Sequence, residues 1–309
     1  MDQAVPGGSP GMPAAAAPTR RAGWKDYVNL AKPRMVMENI FTALGGFWVA
    51  SRWSIDWPLL LWMLVGSGLV MGSACVFNNV LDRERDMKME RTRRRAIPSG
   101  LISPAAALAY GTALGAAGTA VLYFFCGPLP ALFGLIGHIV YVWVYTYWLK
   151  PTSPWSTSVG GIAGAMPPLI GYTAVTGAVD LGAALLFALL FLWQPPHFWV
   201  LGIWKRKEYA EAGFKMLPVV RGVRRTKWQM VPYLLAMFPV TILLYAYGYL
   251  GAVFLAGGLA LLALWTAECV RGFWASDEGA WAKRSFKYSI YYLTLISVLM
   301  VVDTPHPVV

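Results

Sequence analysis

Charged residues are scarce in this chain, and their scarcity indicates its class. Asp, Glu, Lys and Arg make up 13% of the 309 residues, whereas about a quarter is usual in a soluble domain. Hydrophobic residues make up 57%, and no second domain or sequence repeat stands out. The sequence therefore predicts a polytopic, all-α protein embedded in a lipid bilayer.

Cysteine is also nearly absent. The three copies, Cys75, Cys126 and Cys269, lie in or beside apolar runs and lack the spacing of a metal site. An odd, scattered set excludes a disulfide framework and favours small buried side chains. Acidic residues number 15 against 26 basic ones. This excess could indicate nucleic-acid binding, but the basic residues lie in short segments between apolar runs, which argues against that partner.

Nine apolar segments recur along the chain, and most are long enough to cross a bilayer core of about 30 Å. Residues 1–24 contain no apolar stretch of a signal peptide, and we interpret them as a disordered tail. One intramembrane domain, 25–303, and a short tail, 304–309, follow. The predicted membrane helices are 36–51, 58–80, 103–125, 129–148, 157–176, 181–203, 231–250, 252–270 and 286–302.

The distribution of basic residues predicts the orientation of these helices. With the N-terminus in the cytoplasm, every Lys and Arg except Arg52 falls on the cytoplasmic side. Omitting one helix would divide the basic loops between the two sides. We therefore expect about nine helices around a central cavity in a bacterial inner membrane, with the C-terminus periplasmic. The two long polar loops, after the second and sixth helices, would meet over that cavity.

The first of these loops begins with a regular polar pattern. Asn78, Asp82 and Asp86 stand four residues apart, a spacing that puts their oxygens on one face of a helix. One amide and two carboxylates suit Mg²⁺, which keeps several waters and binds substrate phosphates. The basic run at 88–95 suits phosphate oxygens. The alternative is a solvated, salt-bridged helix end.

The stretch 78–86 resembles the Asn-x-x-x-Asp-x-x-x-Asp motif of the UbiA superfamily of intramembrane prenyltransferases. The stretch 91–100 is similar too, except at Ala96, where many members have proline. The resemblance implies a UbiA-type helical fold. It implies that an isoprenoid diphosphate is bound through Mg²⁺ by Asn78, Asp82 and Asp86. It assigns further substrate contacts to Arg91, Thr92 and Arg95.

A second polar stretch distinguishes between branches of that superfamily. Members that prenylate small phenols or quinone precursors carry a second aspartate-rich motif near 193–209, where this chain has a histidine and a Lys-Arg-Lys run. The stretches 193–199 and 213–218 resemble the haem-farnesylating branch instead. Basic residues suit the two propionates of protohaem (haem B), although they could equally be cytoplasmic flanking charges. The resemblance assigns acceptor binding to Lys205, Lys207 and Tyr209.

Several isolated polar residues are further candidates. His197 follows two prolines at an apolar helix end; such a histidine is more often a hydrogen-bonded core residue, but the resemblance makes it a candidate ligand of haem iron. Lys150, the only charge in its loop, suits diphosphate or anchors the topology. The resemblance suggests a propionate contact for Arg34 or Lys32, and a place in the cavity wall for Asn39.

Aromatic residues are frequent in the fourth predicted helix. Tyr141, Trp143, Tyr145 and Tyr147 could shield an allylic cation with their π faces. They could instead form part of an interfacial belt.

The resemblance implies an Mg²⁺-dependent enzyme that transfers the farnesyl group of farnesyl diphosphate to a vinyl group of haem B, giving haem O and diphosphate. Terminal oxidase assembly proteins or haem A synthase are the implied partners. One alternative is prenylation of an aromatic acid or quinone precursor, which the missing second acidic motif disfavours. The other is a cation transporter, whose charges would lie nearer the membrane midplane. The expected catalytic residues are Asn78, Asp82, Asp86 and Lys150.

Overall fold

Helices account for the regular structure of the described part of the chain. The computed structural model describes residues 20–306, and no strand occurs within that range. Most of the predicted tail 1–24, and residues 307–309, lie outside it. The helices are α1 Trp24–Leu30, α2 Pro33–Ser51, α3 Trp57–Leu81, α4 Arg83–Asp86, α5 Pro104–Val121, α6 Pro128–Ile139, α7 Lys150–Thr152, α8 Ser156–Gly164, α9 Met166–Thr176, α10 Leu181–Trp204, α11 Arg206–Glu211, α12 Leu217–Val220, α13 Gly222–Ala246, α14 Ala252–Arg271 and α15 Glu278–Val302.

Seven helical segments within residues 20–306 are long and apolar enough to cross a membrane. This finding confirms a polytopic membrane protein but does not confirm the predicted count of nine helices. The other two predictions, 36–51 and 157–176, correspond to α2 and to the pair of α8 and α9. The seven segments are Trp57–Leu81, Pro104–Cys126, Pro128–Thr152, Leu181–Trp204, Gly222–Ala246, Ala252–Trp274 and Glu278–Val302.

The predicted span 157–176 is divided at Ala165, between α8 and α9. Pro167 and Pro168 lack the backbone N–H groups that a continuous helix would use, so a new helix begins just before them. The first half of α2 carries charged side chains. These local features explain why neither predicted span, 36–51 or 157–176, is among the seven long apolar segments.

Helices α2 and α9 cross so closely that their backbones are in contact. A Cβ atom at Gly46 would fall on the carbonyl group of Pro168, and one at Gly171 would fall on that of Ala43. Two glycines on facing helices therefore allow an approach that a larger residue would prevent. The crossing holds the break at Ala165 against the first long helix of the bundle.

The two long polar loops pack against each other. Met89, from the loop after α4, lies in one buried apolar cluster with Phe214 and Met216, from the loop after α11. This contact agrees with the expectation that the loops meet over a shared cavity. It fixes the polar ends of α3 and α10 relative to each other.

Gly171→Ala should destabilise the protein by about 2 kcal/mol or more, because the added methyl group meets rigid backbone. Gly161→Ala is the matched control, since a Cβ there would lie 3.5 Å from the Phe191 ring, an ordinary contact. Thermal unfolding of the two variants in detergent measures the difference. Equal unfolding temperatures would contradict the tight crossing of α2 and α9.

Candidate active site

The helix that carries the polar motif ends within it. α3 ends at Leu81, Asp82 follows as its cap, and α4 begins at Arg83. The backbone N–H of Asp82 still donates to the Asn78 carbonyl (2.9 Å), and that of Asp86 donates to the Asp82 carbonyl (2.8 Å). The four-residue spacing is therefore kept across a break, rather than along the one helix that the spacing suggested.

The buried side chains of Asn78, Asp82 and Thr146 form the centre of the site. Asn78 and Asp82 are 4% and 3% exposed. The Asn78 amide donates to Asp82 Oδ2 (3.0 Å) and to the hydroxyl of Thr146 (3.1 Å). Lys150 Nζ donates to the same Asp82 oxygen (2.5 Å), and Lys32 Nζ donates to Asn78 Oδ1 (2.5 Å). Two lysines distant in sequence thus converge on the predicted metal ligands.

The Lys32 side chain lies beside Asn78 of the polar motif, whereas the Arg34 side chain does not. Lys32 has a left-handed backbone conformation (φ 52°) between α1 and α2, a conformation uncommon for a residue with a Cβ atom. Its ammonium group reaches Asn78, while the Arg34 side chain is 95% exposed and lies 3.6 Å from Glu38. The structure therefore brings Lys32 to the amide and carboxylate cluster.

Asp86 has a cationic partner of its own. Arg95 Nη1 donates to Asp86 Oδ2 (2.8 Å). The Thr92 hydroxyl is buried and donates to the Asp86 carbonyl (2.9 Å), so it holds the loop in place. Arg91 is exposed on the same loop. Of the three predicted phosphate contacts, only Arg95 points at the carboxylates.

The donor set fits Mg²⁺. Asp82 Oδ1 is buried without a hydrogen-bond partner, and such an atom in a native protein calls for a ligand. Among the described residues, no group of three or more His, Cys, Asp or Glu side chains could hold a metal ion by itself. Asn78, Asp82 and Asp86 would therefore supply only part of a coordination shell. That is the mode typical of Mg²⁺, which completes its shell with water and substrate phosphate.

An apolar cavity of about 240 Å³ lies in the bundle beside this polar cluster, whose own side chains do not line it. Tyr145 and Tyr141 line it, and Lys150 Nζ lies 5.9 Å from the Tyr145 ring centre. Both tyrosines lie in Val140–Leu149, a π-helical continuation of α6. Trp143 and Tyr147 on the same segment are 50% and 62% exposed. The aromatic residues therefore divide between the cavity wall and the lipid-facing surface.

His197 also lines this cavity, between the rings of Trp193 (4.4 Å) and Phe286 (4.7 Å). Its Nδ1 lies 2.7 Å from Ser289 Oγ, and that hydroxyl donates to the Phe286 carbonyl. Because a hydroxyl has one proton, Nδ1 must carry the hydrogen and Nε2 the lone pair. This tautomer is the one that an imidazole uses when Nε2 binds a metal.

The remaining predicted site residues lie in different places. Asn39 lines the cavity, but its amide donates to the Met35 carbonyl (2.8 Å). Lys205 pairs with Glu208 (2.8 Å), and neither it nor the exposed Lys207 lines the cavity. The cavity therefore contains Asn39 but not the two predicted basic residues.

The second polar loop also contributes to the first site. Phe214 lies 4.4 Å from Lys150 Nζ, measured to the ring centre, and packs against Tyr209. These contacts put Tyr209 near the amide and carboxylate cluster. Burial there raises the pKa of the Tyr209 hydroxyl. Sequence reasoning missed Phe214 in this role, since an aromatic residue in a loop carries no signal of what it covers.

Solved structures resemble the fold. The structure of a digeranylgeranylglyceryl phosphate synthase matches with a TM-score of 0.75 and 17% identity, over 90% of this chain and 97% of the other. A UbiA homolog from Archaeoglobus fulgidus bound to GPP and Mg²⁺ matches with a TM-score of 0.64 and 15% identity, over 90% and 99% of the two chains. These likenesses confirm the predicted class, an all-helical membrane fold of the UbiA type.

Sequence comparison is more specific. Residues 39–291 match the UbiA prenyltransferase family, and the chain belongs to that family. A protoheme IX farnesyltransferase from Escherichia coli (strain K12) is 42% identical over 280 residues, which cover 91% of this chain and 95% of the relative. The same enzyme from Escherichia coli O139:H28 matches to the same extent. The family membership predicted from the polar motifs is confirmed, and with it an enzyme of the prenyltransferase class.

Lys150→Met should destabilise the metal-free protein by about 3 kcal/mol, because it leaves the Asp82 carboxylate buried and unpaired. Adding Mg²⁺ should restore part of the loss, since a bound cation replaces the missing charge. Thermal unfolding with a chelator and with Mg²⁺ measures both effects. Lys88→Met, an exposed position in the next loop, is the control. A Lys150→Met variant as stable as this control would contradict the pairing.

Proposed function

We propose that this chain transfers the farnesyl group of farnesyl diphosphate to a vinyl group of haem B. The observation that carries the proposal is one apolar cavity that two unlike groups adjoin. Tyr145 lines it and lies next to Lys150, which pairs with Asp82, while His197 lines it from another helix and is held through Nδ1 by Ser289. The 42% identity to enzymes named protoheme IX farnesyltransferase supports the same reaction.

The reaction joins farnesyl diphosphate, haem B and one water to give haem O and diphosphate. The bond between the first farnesyl carbon and oxygen breaks, and its electron pair leaves with diphosphate. The terminal vinyl carbon of haem bonds to the farnesyl carbon, and water adds to the vinyl carbon next to the ring and loses a proton. The product is a hydroxyethylfarnesyl substituent.

The polar cluster beside the cavity suits the leaving group. Asn78, Asp82 and Asp86 would hold Mg²⁺, which supplies positive charge to the diphosphate oxygens when bound. Lys150 and Arg95 add positive charge where negative charge develops; their ammonium and guanidinium groups already lie against the two carboxylates.

The cavity wall suits the electron-deficient farnesyl carbon. The Tyr141 and Tyr145 rings lie 5.7 Å apart along it, and aromatic faces attract positive charge. The mostly apolar lining limits access of water, which would otherwise capture the farnesyl group before the vinyl carbon does.

The part of the cavity around His197 suits the acceptor. His197 Nε2 would bind the haem iron, while Ser289 holds the imidazole by its other nitrogen. Trp193 and Phe286 enclose the ring on both faces, so its orientation is fixed before the acceptor binds. Any propionate contacts of Lys205, Lys207 and Arg34 would lie outside the cavity.

The proposed function includes an orientation in the membrane. The loop after α4 and the loop after α11 are both basic and meet in one cluster, which supports a cytoplasmic location for both. The N-terminus would then be cytoplasmic and the C-terminus periplasmic in a bacterial inner membrane, with 25–303 as the catalytic domain. Terminal oxidase assembly proteins or haem A synthase would be the partners that receive haem O.

Incubating the purified protein with farnesyl diphosphate, Mg²⁺ and reduced haem B should yield a haem whose mass has increased by one farnesyl group and one hydroxyl group. Asp82→Asn should lower the rate at least about a hundredfold, because the leaving group loses its electrostatic stabilisation. Glu84→Gln, an exposed acid two residues on, should change little. Farnesylation of an added phenolic acid instead of haem would contradict the proposal.

His197→Ala should change the optical spectrum of bound haem, because the iron loses its proposed nitrogen ligand. Added imidazole should restore the spectrum. His138→Ala is the matched control, since His138 lines the same cavity but its Nε2 lies 3.0 Å from the Ser73 hydroxyl. A spectrum that changes in the His138 variant and not in the His197 variant would contradict the assignment.

A further inference from the structure

A second cavity, of about 220 Å³, lies under the N-terminal helix. It is bounded by α1, by the end of α3 and by the loop after α4. Seven of its ten lining residues are polar or charged, whereas the main cavity is mostly apolar. None of the sequence motifs predicted a cavity here.

The second cavity has an excess of positive charge. Four lining residues are cations, Arg20, Lys32, Arg94 and Arg95, and Asp26 is the one acid among them, which leaves a net charge of +3. The Arg20 guanidinium donates two hydrogen bonds of 2.7 Å to the Asp26 carboxylate. This pairing lowers the pKa of the Asp26 carboxyl to about 2. Asp26 is therefore ionised and already matched at neutral pH.

Two of the other cations are not neutralised. Within residues 20–306, Arg94 forms no hydrogen bond or ion pair, and Lys32 donates only to the neutral amide of Asn78. Arg95 is paired with Asp86, outside the lining set. A polar cavity with unmatched lysine and arginine charges suits a multiply charged phosphate.

The second cavity adjoins the proposed leaving-group site. Lys32 lines it and also reaches Asn78 Oδ1 (2.5 Å). Arg95 lines it and also reaches Asp86 Oδ2 (2.8 Å). The same two cations therefore face both places, so an anion could pass from the proposed metal ligands to Arg94 without losing positive partners.

We propose that this cavity binds the inorganic diphosphate product on its way to the cytoplasm. The inference rests on the proposed function, because it needs a reaction that releases diphosphate. The farnesyl chain and the porphyrin of the product can stay in lipid with its propionates at the membrane surface, but a free diphosphate cannot cross an apolar wall without a large desolvation cost. The polar cavity gives the anion a separate route.

Helix α1 covers that route. The Asn79 amide donates to the Leu30 carbonyl (2.8 Å) and fixes the end of α1 to α3. At the other end, the pair of Arg20 and Asp26 holds the preceding chain against the first turn of α1. An exposed ion pair is weak, so the N-terminal end of α1 can move away from the cavity when the anion leaves.

Calorimetric titration of the full chain with inorganic diphosphate tests the proposal. The protein is kept in neutral-lipid nanodiscs with a chelator, so that no metal-dependent site contributes. Wild type should bind, and Arg94→Gln should bind about five- to tenfold more weakly because one charge-assisted contact is lost. Arg93→Gln is the matched control, exposed beside it but outside the cavity. Equal affinity of the two variants, or no binding by wild type, would overturn the proposal.

A second arm distinguishes the product from a lipid headgroup, which offers the same phosphate chemistry. The titration is repeated in nanodiscs containing an anionic phospholipid, and wild type should still bind diphosphate. If wild type binds diphosphate in neutral-lipid nanodiscs but not in nanodiscs with the anionic phospholipid, the lipid headgroup is the occupant of the cavity. That result would overturn the product route. Neither arm requires haem or turnover, so failure here would leave the farnesyl-transfer assay unaffected.

Kinetics give an independent check. In the Arg94→Gln enzyme, the inhibition constant of diphosphate as a product inhibitor should rise by about the same factor as its affinity falls. The KM for farnesyl diphosphate should stay near the wild-type value, since Arg94 forms no hydrogen bond or ion pair with the proposed metal ligands in the described part of the chain. A raised KM with an unchanged inhibition constant would place Arg94 in substrate binding and overturn its role in product release.

Discussion

The contact between Asp82 and Lys150 is the interaction on which the rest of the structure depends. It joins residues 68 positions apart in sequence, at the polar end of an otherwise apolar bundle. With Asp86, Lys32 and Arg95 added, two carboxylates meet three cations, which leaves one positive charge. One Mg²⁺ ion and a trianionic prenyl diphosphate would neutralise that charge. The cluster is thus suited to a metal and its substrate together better than to a metal alone.

Irregular helix geometry determines which side chains reach the cavity. The π-helical stretch Val140–Leu149 directs Tyr141, Tyr145 and Thr146 inward while its tryptophans face lipid, and it ends directly before Lys150. Extended π-helix is rare and is often found at functional sites. The break at Ala165 has a related effect, because it leaves α8 and α9 as two short helices that both line the cavity. The proposed site is therefore built where the bundle departs from regular α-helix.

Much of this organisation could be predicted from the sequence, and the exceptions have physical causes. Scarce charge and the spacing of Asn78, Asp82 and Asp86 were sufficient for the membrane class and the family. Hydropathy could not separate Lys32 from Arg34, since only the left-handed backbone at Lys32 turns its side chain toward Asn78. Basic composition likewise could not reveal where the run at 205–207 lies relative to the cavity. Such placements depend on tertiary packing between segments that are distant in sequence.

The contrast between the Asp82 cluster and the surroundings of His197 gives a reason for the missing second acidic motif. Around His197 the partners are neutral: a serine hydroxyl, two aromatic rings and the Gln194 amide, which donates to the Gly161 carbonyl. A carboxylate buried there would lack a cation and would raise the cost of burying the site. It would also repel the propionates of the proposed acceptor. Neutral surroundings at His197 therefore separate the diphosphate chemistry at Asp82 from the binding of an anionic, iron-containing acceptor.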